Sequence, residues 1–507
     1  MKNRILEKER KVNMKTFGMV VVAALVAALG AAAWAKEPAP EVTVRVDPSA
    51  VVGPVKLMNA VNNGPSVAKA NANDQKRGNF TEYAAARFPY ARLHDSINCC
   101  SGGAHCVDIS AVFPDFDADE DNPKNYDFVF TDHYLDSIVR TGTKVFFRLG
   151  QTIEHGPKKY GIFPPKDYAK WARVCEHIVR HYNEGWGWGA DDAWTTVNVA
   201  WSNQFNVVYW EIWNEPDMYR SEDPKKLYRK PLTWGGTVTN FFNFYEVAAK
   251  HLKGKFPALK IGGPALAGNE GFADRFLNYC QAQKVPLDFF SWHIYATEPD
   301  QIGQKCARIR AMLDKYGFGK TESILDEWNY VKGWSDDWVY TLEVESGRYN
   351  QKAAAFIAST MIECQRRPLD MLMFYDARLG TAMNSLFNAT TYWPMKGYYP
   401  FYAWSRLVDC GTEVACALSG KATDGFNAMA AKGADGRVAV FVSRYSSDDN
   451  VSESSTVHLR APGIDCTRAR CHVTDAVRTY TEIPLVPEPN GGARLHLLPN
   501  SFALIEL

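Results

Sequence analysis

Glu215 and Glu327 are the residues of this chain best placed to do chemistry. Glu215 stands in Trp213-Asn214-Glu215-Pro216, after the apolar run Val207-Val208-Tyr209-Trp210-Glu211-Ile212. Glu327 lies 112 residues further on, closing Ser323-Ile324-Leu325-Asp326-Glu327 ahead of Trp328-Asn329. Each glutamate thus ends a segment that reads as a buried strand. A pair of carboxyls so placed suits glycosidic bond cleavage. One carboxyl protonates the leaving oxygen, and the other attacks or activates water. Either glutamate alone is equally well read as half of a buried salt bridge.

Two such residues need a scaffold that brings strand tips together. From about residue 55 to 410, strand-like and helix-like segments alternate, which predicts a parallel sheet with crossover helices. Candidate strands are Val55–Ala60, Tyr90–His94, Lys144–Leu149, Val207–Trp213, Lys260–Gly263, Phe289–Ile294, Ser323–Glu327 and Met371–Tyr375. Tyr168, Trp171, Cys175, Ile178 and Tyr182 fall at helical spacing, as do Phe241, Phe244, Ala248 and Leu252. The fold class expected is α/β, a (β/α)8 TIM barrel whose site lies at the C-terminal strand tips. No Gly-x-Gly-x-x-Gly turn follows the first strand, which argues against a doubly wound sheet.

After about residue 411, short β-rich runs such as Val438–Val442, Thr456–Leu459 and Ala503–Leu507 alternate with Gly, Asp, Asn and Pro. They predict a C-terminal antiparallel β-sandwich over 411–507. Residues 36–54 are read as a linker and an N-terminal strand joining that sandwich, and 55–410 as the catalytic barrel.

Strand alternation predicts that Glu211, Trp213 and Glu215 share one face of their strand, and Ser323, Leu325 and Glu327 one face of theirs, so that both glutamates can reach one pocket. Asp326 is then expected to point away and be structural. Glu211 is expected to be a buried ion-pair partner, with Arg92 as the candidate cation, because a buried carboxylate needs one.

Five motifs carry a resemblance to a known family. They are Ala91-Arg92-Leu93-His94-Asp95, Trp210-Glu211-Ile212-Trp213-Asn214-Glu215-Pro216, Lys260-Ile261-Gly262-Gly263-Pro264, Asp288-Phe289-Phe290-Ser291-Trp292-His293-Ile294-Tyr295 and Ile324-Leu325-Asp326-Glu327-Trp328-Asn329. In this order they resemble the clan A glycoside hydrolases, most of all family 39, which includes β-xylosidases and α-L-iduronidases. The resemblance implies Glu215 as general acid/base and Glu327 as nucleophile. It implies that Asn214 bonds the sugar 2-hydroxyl, that Arg92 favours ionised Glu327, and that Tyr295 donates to Glu327. His94 and His293 would line the subsite of the cleaved sugar, and Trp328, beside the nucleophile, is counted with the sugar-binding residues. Electrostatics supports the same division: the first negative charge of a close carboxyl pair raises the pKa of the second.

Composition sets the wider frame. The chain has 507 residues, 46% hydrophobic and 22% charged, with no net formal charge. It can bury a large core, and no basic surplus points to nucleic acid. Basic residues ending at Lys15 precede apolar Phe17–Ala33, and Ala33-Trp34-Ala35 offers a cleavage site, so 1–35 is read as a signal peptide. Met14 is an alternative start. Removing 1–35 takes away six Lys/Arg and two Glu, leaving 51 minus 55, or −4. An exported protein, in the periplasm, at the cell surface or outside the cell, is expected.

Eleven cysteines suit that compartment, with Cys410–Cys416 and Cys466–Cys471 as candidate local disulfides. Cys99, Cys100, His105 and Cys106 read as a tied loop rather than a metal cluster, and neither metal nor cofactor is expected. Weaker candidates for substrate contact are Gln151, Glu154, His155, Lys158, Lys159, Trp186, Trp188, Trp194 and Trp201, each equally or better read as packing or a solvated charge. The expected partner is a carbohydrate, either a β-linked sugar such as xylose or a uronic acid. A non-catalytic carbohydrate-binding protein on the same scaffold is the reading from another class.

Overall fold

A computed structural model describes residues 40–66, 78–96, 105–154, 158–188, 205–219, 233–333, 350–379, 385–421 and 423–507. The signal segment, Cys99, Cys100, His155, Trp194 and Trp201 lie outside the described residues.

The described residues open with β1 (Glu41–Pro54) and then enter a barrel. The barrel elements are β2 (Leu57–Asn62), α1 (Phe80–Ala86), β3 (Tyr90–Arg92), α2 (Ile109–Val112), α3 (Val129–Val139), β4 (Lys144–Leu149), α4 (Tyr168–Glu184), β5 (Tyr209–Ile212) and α5 (Val238–Lys255). They continue with β6 (Lys260–Leu266), α6 (Glu270–Gln283), β7 (Phe289–Ala296), α7 (Pro299–Lys315), β8 (Glu322–Tyr330), α8 (Gln351–Gln365), β9 (Met371–Phe374) and α9 (Tyr399–Cys410). Strands β2 to β9 close in chain order, and β9 pairs in parallel with β2. The (β/α)8 barrel is therefore present.

Local sequence explains the wall. In α4, Trp171, Cys175, Ile178 and Tyr182 are buried on one stripe. Asp167 caps its first turn by accepting from Lys170 N, and Gly185 ends it in the left-handed conformation. Thr237 and Asn240 form a reciprocal capping box on α5. Ala60, Phe146, Tyr209, Phe289, Ile324, Met371 and Met373 form a separate apolar cluster inside the barrel. This plug leaves the polar chemistry to the layer above it, at the C-terminal tips.

A second sheet follows: β10 (Thr412–Gly420), β11 (Phe426–Lys432), β12 (Val438–Arg444), β13 (Ser455–Arg460), β14 (Arg470–Thr474), β15 (Thr481–Ile483), β16 (Val486–Pro487), β17 (Ala493–Leu497) and β18 (Ser501–Glu506). Its ten strands run β15-β14-β18-β12-β11-β10-β1-β13-β17-β16, so β1 lies between β10 and β13. All pairs are antiparallel except β1 with β13. Val44, Val440, Val457, Val473 and Ile505, from both halves of the sheet, share one core. Alternate residues Met429, Phe441 and Leu504 face the barrel's core instead, with Phe441 edge-on to Trp404 of α9.

The two expected disulfides are absent: Cys410, Cys416, Cys466 and Cys471 are free thiols. Cys410 ends α9, while Cys416 sits opposite Val46 on β10. The intervening extended strand spans about 13 Å, beyond the ~6 Å that a disulfide usually bridges.

Candidate active site

The strand bearing Glu215 does not alternate to its end. β5 stops at Ile212, and both Trp213 and Glu215 adopt positive φ, 74° and 49°. Such residues typically cost about 1–3 kcal/mol each and persist only where surroundings hold them. Here Trp213 N–H donates to the Leu149 carbonyl and Glu215 N–H to the Ala265 carbonyl, tying the kink to β4 and β6. Gly150 permits the approach, since a Cβ there would stand 2.9 Å from Trp213 Cα. The Trp213 indole leaves the barrel, donates to the Thr233 carbonyl and packs edge-on against Trp234 and Phe244. The expected shared face of Glu211, Trp213 and Glu215 is thus broken at Trp213.

Asp326 departs from expectation for a related reason. Pairing between β7 and β8 passes from Trp292↔Leu325 to His293↔Glu327, leaving Asp326 as the extra residue of a bulge. Asp326 therefore turns inward beside Glu327. Trp328 is carried outward, where it packs fully buried against Phe356 of α8 and Phe374 of β9. It has no place on the sugar side of the site, which corrects its assignment as a binding residue.

Arg92, fully buried, organises the inward groups. Its Nε donates to Glu211 Oε2 at 2.6 Å and lies 2.9 Å from Asp326 Oδ2. Its Nη1 donates to Glu327 Oε1 at 2.8 Å and to Asn62 Oδ1 at 3.1 Å, and its Nη2 to Asn214 Oδ1 at 2.7 Å. The Tyr295 hydroxyl donates to Glu327 Oε2 at 2.9 Å. His94 Nε2 lies 3.4 Å from Glu327 Oε1, so His94 stands beside the nucleophile candidate.

His293 sits deeper than a sugar-lining residue would. It is fully buried, with Nδ1 2.8 Å from Glu215 Oε1 and 3.5 Å from Glu327 Oε2, and Nε2 3.4 Å from Asp326 Oδ1. It bridges the carboxylates from below.

This geometry separates the two glutamates electrically. Burial pushes the Glu215 carboxyl up, the charge of Glu327 adds to this, and His293 offsets it only in part. Burial also acts on Glu327, but His293, His94 and Arg92 outweigh it and hold Glu327 below the usual carboxylate range. His293 is raised well above an ordinary histidine, because Glu327 and Asp326 overcome its desolvation. Glu211, buried beside Asp326, is pushed up to about 8 despite Arg92. The two carboxyls are thus shifted in opposite directions, Glu215 toward its protonated form and Glu327 toward its ionised form, the split that acid-assisted displacement uses.

Sequence reasoning missed a second polar shell. Asp95 accepts from Thr152 Oγ1 at 3.0 Å and from the Tyr375 hydroxyl at 2.6 Å, and lies 3.0 Å from Arg378. Arg378 also faces Asp376 at 3.4 Å. Asp95 follows His94 directly, and that adjacency was the available signal. Lys305, on α7, is almost wholly buried and donates to the His293 carbonyl at 2.7 Å. Its spacing on an amphipathic helix gave no signal.

The weaker candidates scatter. Gln151 pairs with Ser110 and Asp108, and Glu154 accepts loop N–H groups from Tyr160 and Gly161. Lys158 lies over the Tyr160 ring, and Lys159 donates to the Glu154 carbonyl. Trp186 stacks on His177, and Trp188 donates to His181, so both pack on α4.

Known glycosidases resemble this chain in sequence and in fold. A beta-xylosidase of Caldicellulosiruptor saccharolyticus is 27% identical over 219 residues, 42% of this chain and 37% of that protein. A beta-xylosidase of Geobacillus stearothermophilus is 26% identical over 201 residues, 38% of this chain and 35% of its own. The matched stretch thus spans little more than a third of these relatives. Among solved structures, a glucosidase from Croceicoccus marinus superposes with TM-score 0.68 at 23% identity, covering 93% of this chain and 99% of that one. A monomeric beta-xylosidase from Caulobacter crescentus gives 0.61 at 16%, covering 92% and 99%, so the likeness of these structures lies in the fold. The sequence profile of glycosyl hydrolases family 39 matches residues 90–369. That match runs from β3 through α8, takes in both kinked strand tips and covers more than half of the chain, which belongs to glycosyl hydrolases family 39.

Proposed function

We propose that the chain is a retaining O-glycosidase that releases a neutral β-linked sugar, xylose foremost, from an oligo- or polysaccharide. The observation that carries the reading is the closeness of the pair: an oxygen of Glu215 and an oxygen of Glu327 lie within 4.8 Å. Retaining enzymes hold their carboxyls ~5–5.5 Å apart, whereas inverting ones leave ~6.5–9.5 Å for a water.

In the first step Glu327 attacks the anomeric carbon while Glu215 gives its proton to the departing oxygen. A glycosyl ester forms at Glu327 and the aglycone leaves as an alcohol. Esterification removes the charge on Glu327, which had added to burial in raising Glu215, so Glu215 ionises more readily beside His293. Glu215 then takes a proton from water, the water attacks the same carbon, and Glu327 is released. Asn214 supports orientation of the sugar. Its oxygen is fixed by Arg92, while its buried Nδ2 has no hydrogen-bond partner among the described residues and can donate to a sugar hydroxyl.

A neutral sugar fits the charge pattern. Arg92 faces Glu211, Asp326 and Glu327, and Arg378 faces Asp95 and Asp376, so both guanidinium groups are already matched by carboxylates. The beta-xylosidases among the relatives support xylose. The basic-then-apolar start of the sequence supports export, and among the described residues no helix is long and apolar enough to cross a membrane. An aryl glycoside panel with NMR of the first-formed sugar tests the reading. Fastest release from a β-xyloside, with the β anomer appearing first, is expected. A faster uronide, or the α anomer first, contradicts it.

A further inference from the structure

The catalytic pair and the histidine between them have the makings of a metal site. We propose that Glu215, His293 and Glu327 bind a Zn2+ ion that occupies the space between the carboxylates and blocks the substrate. One oxygen from each glutamate and one ring nitrogen of His293 all lie within 4.8 Å of one another, and all three residues are buried. Four-coordinate zinc with bonds of ~2.0–2.1 Å sets its ligand atoms about 3.3 Å apart. Two edges of that triangle already stand at 2.8 and 3.5 Å, from His293 Nδ1 to Glu215 Oε1 and to Glu327 Oε2. Rotation of one carboxylate closes the third. Three protein ligands leave the fourth position of a tetrahedral ion for water.

The surroundings supply an independent argument. Zinc-binding histidines usually turn their other ring nitrogen to a carboxylate, which fixes the ring and strengthens the ligand. Asp326 Oδ1 lies 3.4 Å from His293 Nε2 in that position, and neither atom has another hydrogen-bond partner among the described residues. Tyr295 and Arg92 orient the Glu327 carboxylate from two further directions. The donor set of one imidazole and two carboxylates suits zinc or cobalt better than the all-oxygen shells of magnesium and calcium. A zinc ion here takes the place of the proton on His293 Nδ1 and of the proton held by Glu215, and both move to solvent.

The inhibitory consequence rests on the glycosidase reading, whereas the binding does not. Chelator-stripped protein is therefore titrated first with Co2+, which reports four-coordinate sites by its visible absorption. The expected result is a tetrahedral band saturating at one equivalent and abolished by Zn2+. Affinity should fall at least ten-fold in His293→Asn and in Glu215→Gln, each checked for folding by thermal melt. No band, or a band that these variants leave intact, overturns the site. In the second arm Zn2+ should inhibit aryl glycoside hydrolysis competitively, and a chelator should reverse it. Inhibition that is not competitive overturns the claim of shared space. A protein that binds Co2+ at these residues yet hydrolyses no glycoside contradicts the function and leaves the metal site standing.

Discussion

Arg92 Nη1 donates to Glu327 Oε1 at 2.8 Å, and the two side chains are almost entirely shut off from solvent. This contact helps keep Glu327 ionised against its burial, alongside His293 and His94. The proposed mechanism needs Glu327 charged and Glu215 protonated. The kcat/KM profile is therefore expected to fall on the acid side below the ordinary glutamate value, where Glu327 takes up its proton. On the alkaline side it falls above that value, where Glu215 loses its own. Arg92→Met should move the acid limb upward and lower kcat/KM by about a hundred-fold. It also strands Glu211 and Asp326, and breaking such a buried pair costs about 3–5 kcal/mol. pH–rate profiles and denaturant melts check both parts. An unmoved acid limb in a folded variant contradicts the assignment.

Asn214 is held by Arg92 through its oxygen, which leaves its amide nitrogen for substrate. Bonds to the sugar 2-hydroxyl strengthen at the transition state and are worth several kcal/mol. Asn214→Ala should lower kcat/KM by about 30- to 100-fold, about 2–3 kcal/mol. A 2-deoxy substrate should lose a similar factor with the wild type and little more with the variant. Additive losses in this double cycle would show that the two groups do not meet.

Lys305 is pushed down to about 8 by burial, only partly offset by Glu270 and Asp217, against its ordinary 10.5. Between those values the folded chain binds fewer protons than the unfolded one, so this group makes stability rise with pH across that window. Below pH 8 its charge works against folding. Lys305→Met should leave Tm at pH 7 unchanged or higher and remove that alkaline gain, while kcat falls about ten-fold as the His293 carbonyl loses its donor. A variant with lower Tm and normal kcat assigns Lys305 to stability alone.

Trp328 packs in the layer between barrel and helices. Trp328→Ala is expected to cost about 3–5 kcal/mol in stability, as large-to-small core changes do. KM for small glycosides should stay within two-fold, about 0.4 kcal/mol. A rise in KM without a fall in Tm would return Trp328 to the sugar site.

The barrel and the carboxylate pair were legible because they rest on periodicity and on motif order. Glu215, Glu327, Arg92, His94, Asn214, His293 and Tyr295 join in one buried network of contacts around the two glutamates. What escaped the sequence follows from broken periodicity. The positive φ of Trp213 and Glu215 and the extra residue at Asp326 each reverse a side chain that strict alternation would place. Asp326 thus joins the site and Trp328 leaves it. Lys305 and Arg378 act through tertiary contacts with residues 12 and 283 positions away, His293 and Asp95, which no local pattern encodes.

The roles of the two glutamates are tested most directly by Glu327→Ala with added azide. The variant should lose hydrolysis of an activated β-xyloside. Azide should restore turnover by entering the vacated space beneath the anomeric carbon, giving the α-xylosyl azide. Hydrolysis at the wild-type rate, or rescue that yields the β-azide, would contradict Glu327 as nucleophile and with it the division of labour between Glu215 and Glu327.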